Sequence, residues 1–170
     1  DVYKRQLVNL SNLVDNWLFF QAIGGFDNSN KNVYYAARNE NGNYRGYFIP
    51  WDLNISFGAV YADNKYYAEE TLEETGTQVQ FEPGCRAIAL DADHARALAK
   101  EKWEDWKEKA FTAEALLERA QHLQQELTGS GAMAREMERW PGGNASTDLS
   151  LLTEFTKQRM AYMDSMIDGL

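Results

Sequence analysis

Asp27, Asn32 and Asp52 are the three residues whose types and spacing could do chemistry together. Asp27 and, five positions on, Asn32 sit in GGFDNSNKN, a loop too rich in Asn and Gly to be the interior of a helix or strand. The runs VYYAAR (33–38) and YRGYFI (44–49) follow, aromatic and β-branched, and the NENGN between them carries Asn41-Gly42, a strong signal for a tight hairpin turn. A hairpin returns the chain to its starting point, so Asp52, just past the second run, comes back to the loop that holds Asp27 and Asn32. An Asp with an Asn five residues on, then a hairpin, then a second Asp is a set that phosphoryl transfer can use. One acid orients or accepts the proton of the attacking hydroxyl, while the amide and the other acid offer hard oxygen ligands to Mg²⁺ on nucleotide phosphates. Spacing alone leaves a plainer reading open, in which Asp and Asn are present because turns favour them. A calcium loop of the EF-hand type fails, because Lys31, Asn32 and Arg38 fall where such a loop needs an oxygen ligand, a glycine and a glutamate.

The elements that must position these residues are legible on either side. Leu10, Leu13, Val14, Trp17, Leu18 and Phe20 to Ile23 have helical apolar spacing, with Asn9 or Ser11 as N-cap and Gly24-Gly25 as the stop. This helix delivers Asp27. After Gly58 a long stretch, 59–84, reads as irregular and carries Asp63, Glu69, Glu70, Glu73 and Glu74. It follows the second acid and is expected either to shape a groove for basic protein substrates or to be a solvated charge run. From Asp91 onward the chain reads as helical. Asp91 or Asp93 is expected to cap a helix holding Ala97, Leu98, Trp103 and Trp106, and Thr112 a second holding Leu116, Leu117, Ala120, Leu123 and Leu127. Thr128-Gly-Ser-Gly breaks the second, a short helix carries Met133, Met137 and Trp140 as far as Pro141-Gly-Gly, and a last one runs from Thr147 or Asp148 to about Ile167. The expected fold class is α+β, mostly helical, with the hairpin on a helical base.

At 170 residues and 44% hydrophobic, the chain can bury one core, so one domain or part of one is expected. A net charge of -9 without a basic stripe argues against a nucleic-acid partner and against an anionic membrane surface. No apolar run is long enough for a transmembrane segment. Cys85 is the only cysteine, so no internal disulfide can form; Arg86 beside it could lower its pKa, but a structural thiol is the better reading. His94 and His122 have no Cys or His partner at metal-ligand spacing and are expected at the surface. The methionines sit at core-like spacings as gap fillers, and Trp51 is expected to pack beneath the site.

NLVDNWLFFQAIGGFDNSNKN (12–32) followed by FIPWDLNISFG (48–58) resembles the core of the spore coat protein H (CotH) kinase family, secreted atypical protein kinases with a divergent kinase-like fold. In that family a helix leads into a G-N-x-D-type loop ending in Asn, and a hairpin then delivers I-P-W-D-x-D-x-x-[FW]-G. AREMERW (134–140) and FTKQRMAYMD (155–164) resemble its closing helices, so the likeness spans most of residues 7–168, with IPWDL its most specific part. Carried over by position, Asp27 matches the catalytic-loop acid, Asn32 the loop amide and Asp52 the metal-binding acid. Asn32 and Asp52 are then the residues that bind the cofactors, ATP and Mg²⁺, with Mn²⁺ as a substitute. Arg135, Glu136 and Arg139 match the closing motif and are expected to form ion pairs that pin the last helices.

The resemblance implies an atypical protein-kinase-like C-terminal lobe over residues 7–170, with the N-terminal lobe absent and residues 1–6, DVYKRQ, a non-native leader. The expected reaction moves the γ-phosphoryl of ATP to serine hydroxyls of secreted or spore coat proteins, outside the cell or at the spore or cell surface. The lobe alone is expected to be inactive or very weak, and to expose apolar surface where its partner lobe packs. Asn54 stands where the family motif has a second Asp, which favours a second reading, a non-catalytic cell-surface or spore-coat binding or adhesion module. A third reading, a helical structural domain with incidental acids, requires that the acids point apart.

Overall fold

The computed structural model describes residues 7–29, 31–62, 65–68, 76–141 and 147–170. The first helix, α1 (Leu10–Ile23), is the axis of the fold. Asn9 caps it, its side chain accepting the Asn12 N–H at 2.9 Å, and Gly24 ends it in the left-handed conformation at φ 63°. Glycine is required there twice over, since a Cβ at Gly24 would also lie 2.6 Å from the Phe155 ring. Leu13, Val14, Trp17, Leu18, Phe20, Ala22 and Ile23 are all buried, and so are Asn16 and Gln21. A helix apolar on nearly every face must be surrounded, and this one is.

Strands β1 (Val33–Glu40) and β2 (Asn43–Pro50) form the expected antiparallel hairpin, in register from Val33 opposite Pro50 to Glu40 opposite Asn43. Asn41 and Gly42 both take positive φ, 54° and 90°, the requirement of the tight turn that matches strand twist. Two asparagines of α1 anchor β2 as a neighbouring strand would. Asn12 accepts the Phe48 N–H at 2.7 Å and donates to the Phe48 carbonyl at 3.2 Å, and Asn16 donates to the same carbonyl at 3.1 Å. Phe48 is driven inward, where its ring meets Phe81, which in turn meets Phe20.

The stretch 59–84 is not irregular throughout. Strands β3 (Ala59–Ala62) and β4 (Lys65–Ala68) pair antiparallel, and α2 (Glu82–Ala89) begins inside it, with Pro83 in the first turn. Four-residue runs are too short to show a period, which is why the sequence hid this second hairpin. Asp63, Glu69, Glu70, Glu73 and Glu74 lie outside the described residues. Gly84 lets α2 pack on α1, because a Cβ there would sit 2.6 Å from the Cβ of Trp17.

Four more helices close the domain: α3 (Ala95–Lys109), α4 (Ala113–Gly129), α5 (Ala132–Arg139) and α6 (Ser150–Asp168). The residue before α3 is His94, left-handed at φ 63°, but the Asp91 carboxylate accepts the Arg96 N–H at 3.0 Å and so caps the helix from outside it. Thr112 caps α4 as expected, accepting the Ala115 N–H at 3.1 Å. Asp148 accepts the Ser150 N–H at 2.9 Å, and α6 starts there, later than the expected Thr147 or Asp148.

α1, α2, α3 and α6 bury one core, which includes Trp103, Phe155, Met160, Met163 and Ile167. No residue of α4 is buried, and Leu123, Leu127, Met137 and Trp140 are exposed although their spacing suggested a covered face. One buried cation ties the ends of the chain together: Arg159 of α6 donates from Nε to the Gln21 carbonyl and from Nη1 to the Thr77 carbonyl, both at 2.6 Å, and its guanidinium faces the Tyr162 ring. The fold is thus α+β and mostly helical. Among the described residues no helix is long and apolar enough to cross a membrane.

Candidate functional site

Beyond Gly25 the chain makes a single turn of 3-10 helix, Phe26–Asn28, which puts Asp27 at the end of α1. Asn28 is fully buried beneath it. Its amide donates to the Asn32 carbonyl at 2.9 Å and to the Trp51 carbonyl at 2.8 Å, and the Trp51 N–H returns to the Asn32 carbonyl at 2.9 Å. Three hydrogen bonds therefore close the base of the β1–β2 hairpin. They tie the residue after Asp27 to the residue before Asp52, so the loop and the corner cannot drift apart independently. Asn32 and Asp52 turn the chain at either end of the hairpin with φ 57° and 52°, a conformation that Asn and Asp tolerate better than other side chains. Past the corner, the Phe57 N–H donates to the Ile23 carbonyl at 2.7 Å, which pulls the segment after Asp52 back against the end of α1.

The two acids stand in different surroundings. Asp27 is held at both oxygens, Oδ2 by the Asn32 amide at 2.6 Å and Oδ1 by the Lys31 ammonium at 2.9 Å. Asp52 is exposed and has no hydrogen bond or ion pair among the described residues. Because the nitrogen end of the Asn32 amide faces Asp27, its oxygen is turned away and stays available as an acceptor. Asn54 is exposed two residues beyond Asp52.

Among the described residues no three His, Cys, Asp or Glu side chains cluster to hold a metal. The donors at the hairpin base are instead two carboxylates and an amide. That set fits Mg²⁺, which usually takes one or two carboxylates and completes its shell with water and phosphate oxygens. It would not make a closed cage for a tightly held structural ion.

Trp51 does not pack beneath the site. Strand alternation explains the correction: with Phe48 turned inward, Ile49 and Trp51 must face outward. Trp51 is 58% exposed and meets Tyr34 edge-on, with ring centroids 5.3 Å apart. An exposed aromatic pair therefore borders Asp52. Asn28 was the residue that sequence reading missed, because nothing distinguishes it from its neighbours in an Asn-rich loop. Its Oδ1 is buried and has no hydrogen-bond partner among the described residues.

The other candidates stay out of the site. His94 and His122 are exposed, as expected. Cys85 is half-buried and its thiol faces the Val79 carbonyl; burial pushes its pKa up, against the lowering that Arg86 would cause. Arg135 donates to the Ser130 carbonyl and Arg139 lies over the Trp140 ring, and neither forms an ion pair among the described residues. The anticipated pinning of the last helices by ion pairs is replaced by these local contacts.

The CotH kinase protein family model matches residues 3–163. No curated protein and no solved structure matches the chain. The family match runs from ahead of α1 into α6 and takes in the Asp27 loop, the hairpin and the Asp52 corner, and a match over nearly the whole length shows that this chain belongs to the CotH kinase family.

Proposed function

We propose that this chain carries the catalytic acid and the metal ligands of a CotH-type protein kinase, which moves the γ-phosphoryl of ATP to a serine hydroxyl of a secreted or spore coat protein. The observation that supports this reading most is the contrast between the acids. Asp27 is oriented by Asn32, and Asp52 is open, across a hairpin base closed by Asn28. Asp27 orients the acceptor hydroxyl and takes its proton as the hydroxyl oxygen bonds to the γ-phosphorus. The bond from that phosphorus to the bridging oxygen breaks, and its electron pair leaves with ADP. Asp52 and the outward oxygen of Asn32 would hold Mg²⁺, or Mn²⁺ in its place, and the ion supplies neutralising charge on the phosphates. Catalysis of this kind is mostly positioning and charge compensation, so the rigidity that Asn28 gives the hairpin base is part of the chemistry.

In this reading residues 7–170 act as the C-terminal lobe, an N-terminal lobe grips the nucleotide, and the enzyme works outside the cell or at a spore or cell surface. A second reading, a non-catalytic binding or adhesion module, is favoured by Asn54, which removes one carboxylate from the corner. Nucleotide binding separates the two. Mg²⁺-dependent ATP binding that Asp52→Ala abolishes, with the circular dichroism unchanged, supports the kinase. Unchanged affinity in that variant removes Asp52 from the site, and no ATP binding by the folded full-length protein favours the binding module.

A further inference from the structure

Lys31 holds one oxygen of the acid that the proposed reaction needs free. Its ammonium lies 2.9 Å from Asp27 Oδ1, and the Asn32 amide already occupies Oδ2 at 2.6 Å. The two partners are not equivalent. Asn32 is half-buried in the turn that closes the hairpin, and its backbone carbonyl, bonded by both Asn28 and Trp51, fixes the point from which its short side chain reaches Asp27. The Lys31 side chain is 68% exposed and carries its ammonium on a flexible stem, so its contact with Asp27 is the weaker of the two. A hydroxyl that comes to Oδ1 therefore competes with Lys31 and not with Asn32.

We propose that Lys31 is a latch on Asp27 that phosphate releases: without nucleotide its ammonium covers Oδ1, and an incoming triphosphate draws it away and uncovers that oxygen. The inference rests on the proposed kinase reading and adds a positioning residue and a preferred order of binding, nucleotide before acceptor. The driving force is elementary. A triphosphate carries several negative charges against the single charge of Asp27, and an ammonium near both moves toward the larger charge. Once Lys31 lies along the phosphates, Oδ1 takes the proton of the acceptor hydroxyl, the hydroxyl oxygen bonds to the γ-phosphorus, and the bond from that phosphorus to the bridging oxygen breaks with its electron pair staying on ADP. The latch is weak by design of its exposure, because an exposed ion pair is worth little, and it biases the order of binding without enforcing it.

The test is a double-mutant cycle in the full-length protein, read by Mg²⁺-ATP affinity, in a calorimeter and without an acceptor. Asp27→Asn removes a negative charge near the phosphates and should tighten ATP whatever Lys31 does. The latch predicts an additional gain when Lys31 is present, because the ammonium no longer has to be taken from the carboxylate. The tightening caused by Asp27→Asn should then be about two- to five-fold larger with Lys31 than in a Lys31→Met background, and Lys31→Arg should keep the difference. Equal gains in both backgrounds would overturn the latch and leave the kinase reading standing. No ATP binding in any variant would overturn both.

Discussion

The Asn28 amide nitrogen lies 2.8 Å from the Trp51 carbonyl oxygen, and this one contact joins the two halves of the candidate site. Asp27 precedes the donor and Asp52 follows the acceptor, so the side chain of Asn28 helps to hold the two acid-bearing segments together. Asn28→Ala leaves the Trp51 carbonyl without its donor and opens a small gap in a buried position. A loss of about 1–3 kcal/mol in stability is expected from urea unfolding. ATP affinity should fall by more than stability predicts, since at temperatures where the variant is still folded the corner keeps only the Trp51 N–H bond to the Asn32 carbonyl of the three that close the base. A variant with normal stability and normal ATP affinity would show that the hairpin base holds itself.

Arg159 ties the end of α1 to α6. It is buried, it donates to the Gln21 and Thr77 carbonyls, and its guanidinium lies 5.7 Å from the centroid of the Phe26 ring, next to Asp27. Arg159→Met keeps much of the volume but removes the donor to the Thr77 carbonyl and one of two donors to the Gln21 carbonyl, which keeps the Gly24 N–H, at a total cost of about 1–3 kcal/mol. Arg159→Lys should rescue little, because one ammonium cannot reproduce the planar fork. Chemical unfolding of the two variants checks this, and a lysine variant as stable as the parent would contradict it.

Cys85 gives a pH dependence with a definite sign. Burial is the main reason its pKa is raised from its ordinary value of 9.0, and the neighbouring Glu82 carboxylate adds to the effect. The unfolded chain therefore loses the thiol proton at a lower pH than the folded chain does. Below 9.0 both states are protonated and the full contribution to stability is present; as pH rises past 9.0 toward the folded pKa, the contribution is lost. Cys85→Ala should flatten this alkaline decline, and the thiol of the folded protein should react with an alkylating reagent more slowly than a free cysteine at the same pH. Faster reaction than free cysteine would mean that Arg86 outweighs burial.

What the sequence made legible was local. Asn9 and Thr112 as caps, Gly24 as a stop and Asn41-Gly42 as a turn each act within a few residues, and each is found where its chemistry puts it. The β1–β2 hairpin that returns the chain toward the Asp27 loop was legible as well, from that turn and the two runs beside it. What stayed hidden depends on partners far along the chain. Asn28 meets Trp51 across 23 positions, and Arg159 meets Gln21 across 138, so no window of sequence contains either pair. The outward face of Trp51 is a different case: once Phe48 is inside, alternation along the strand decides it, and the periodicity was there to be used. The exposed leucines of α4 show the opposite limit, for an apolar stripe tells which face is apolar and not what covers it.

The most direct measurement is phosphotransfer from labelled ATP to a serine-rich acceptor, made with the protein carrying its upstream region, beside Asp27→Ala and Asp52→Ala. The account predicts Mg²⁺-dependent transfer that falls by several orders of magnitude in both variants while their folded state persists. Transfer that survives in either variant, or a folded protein that neither binds Mg²⁺-ATP nor transfers phosphate, would contradict it.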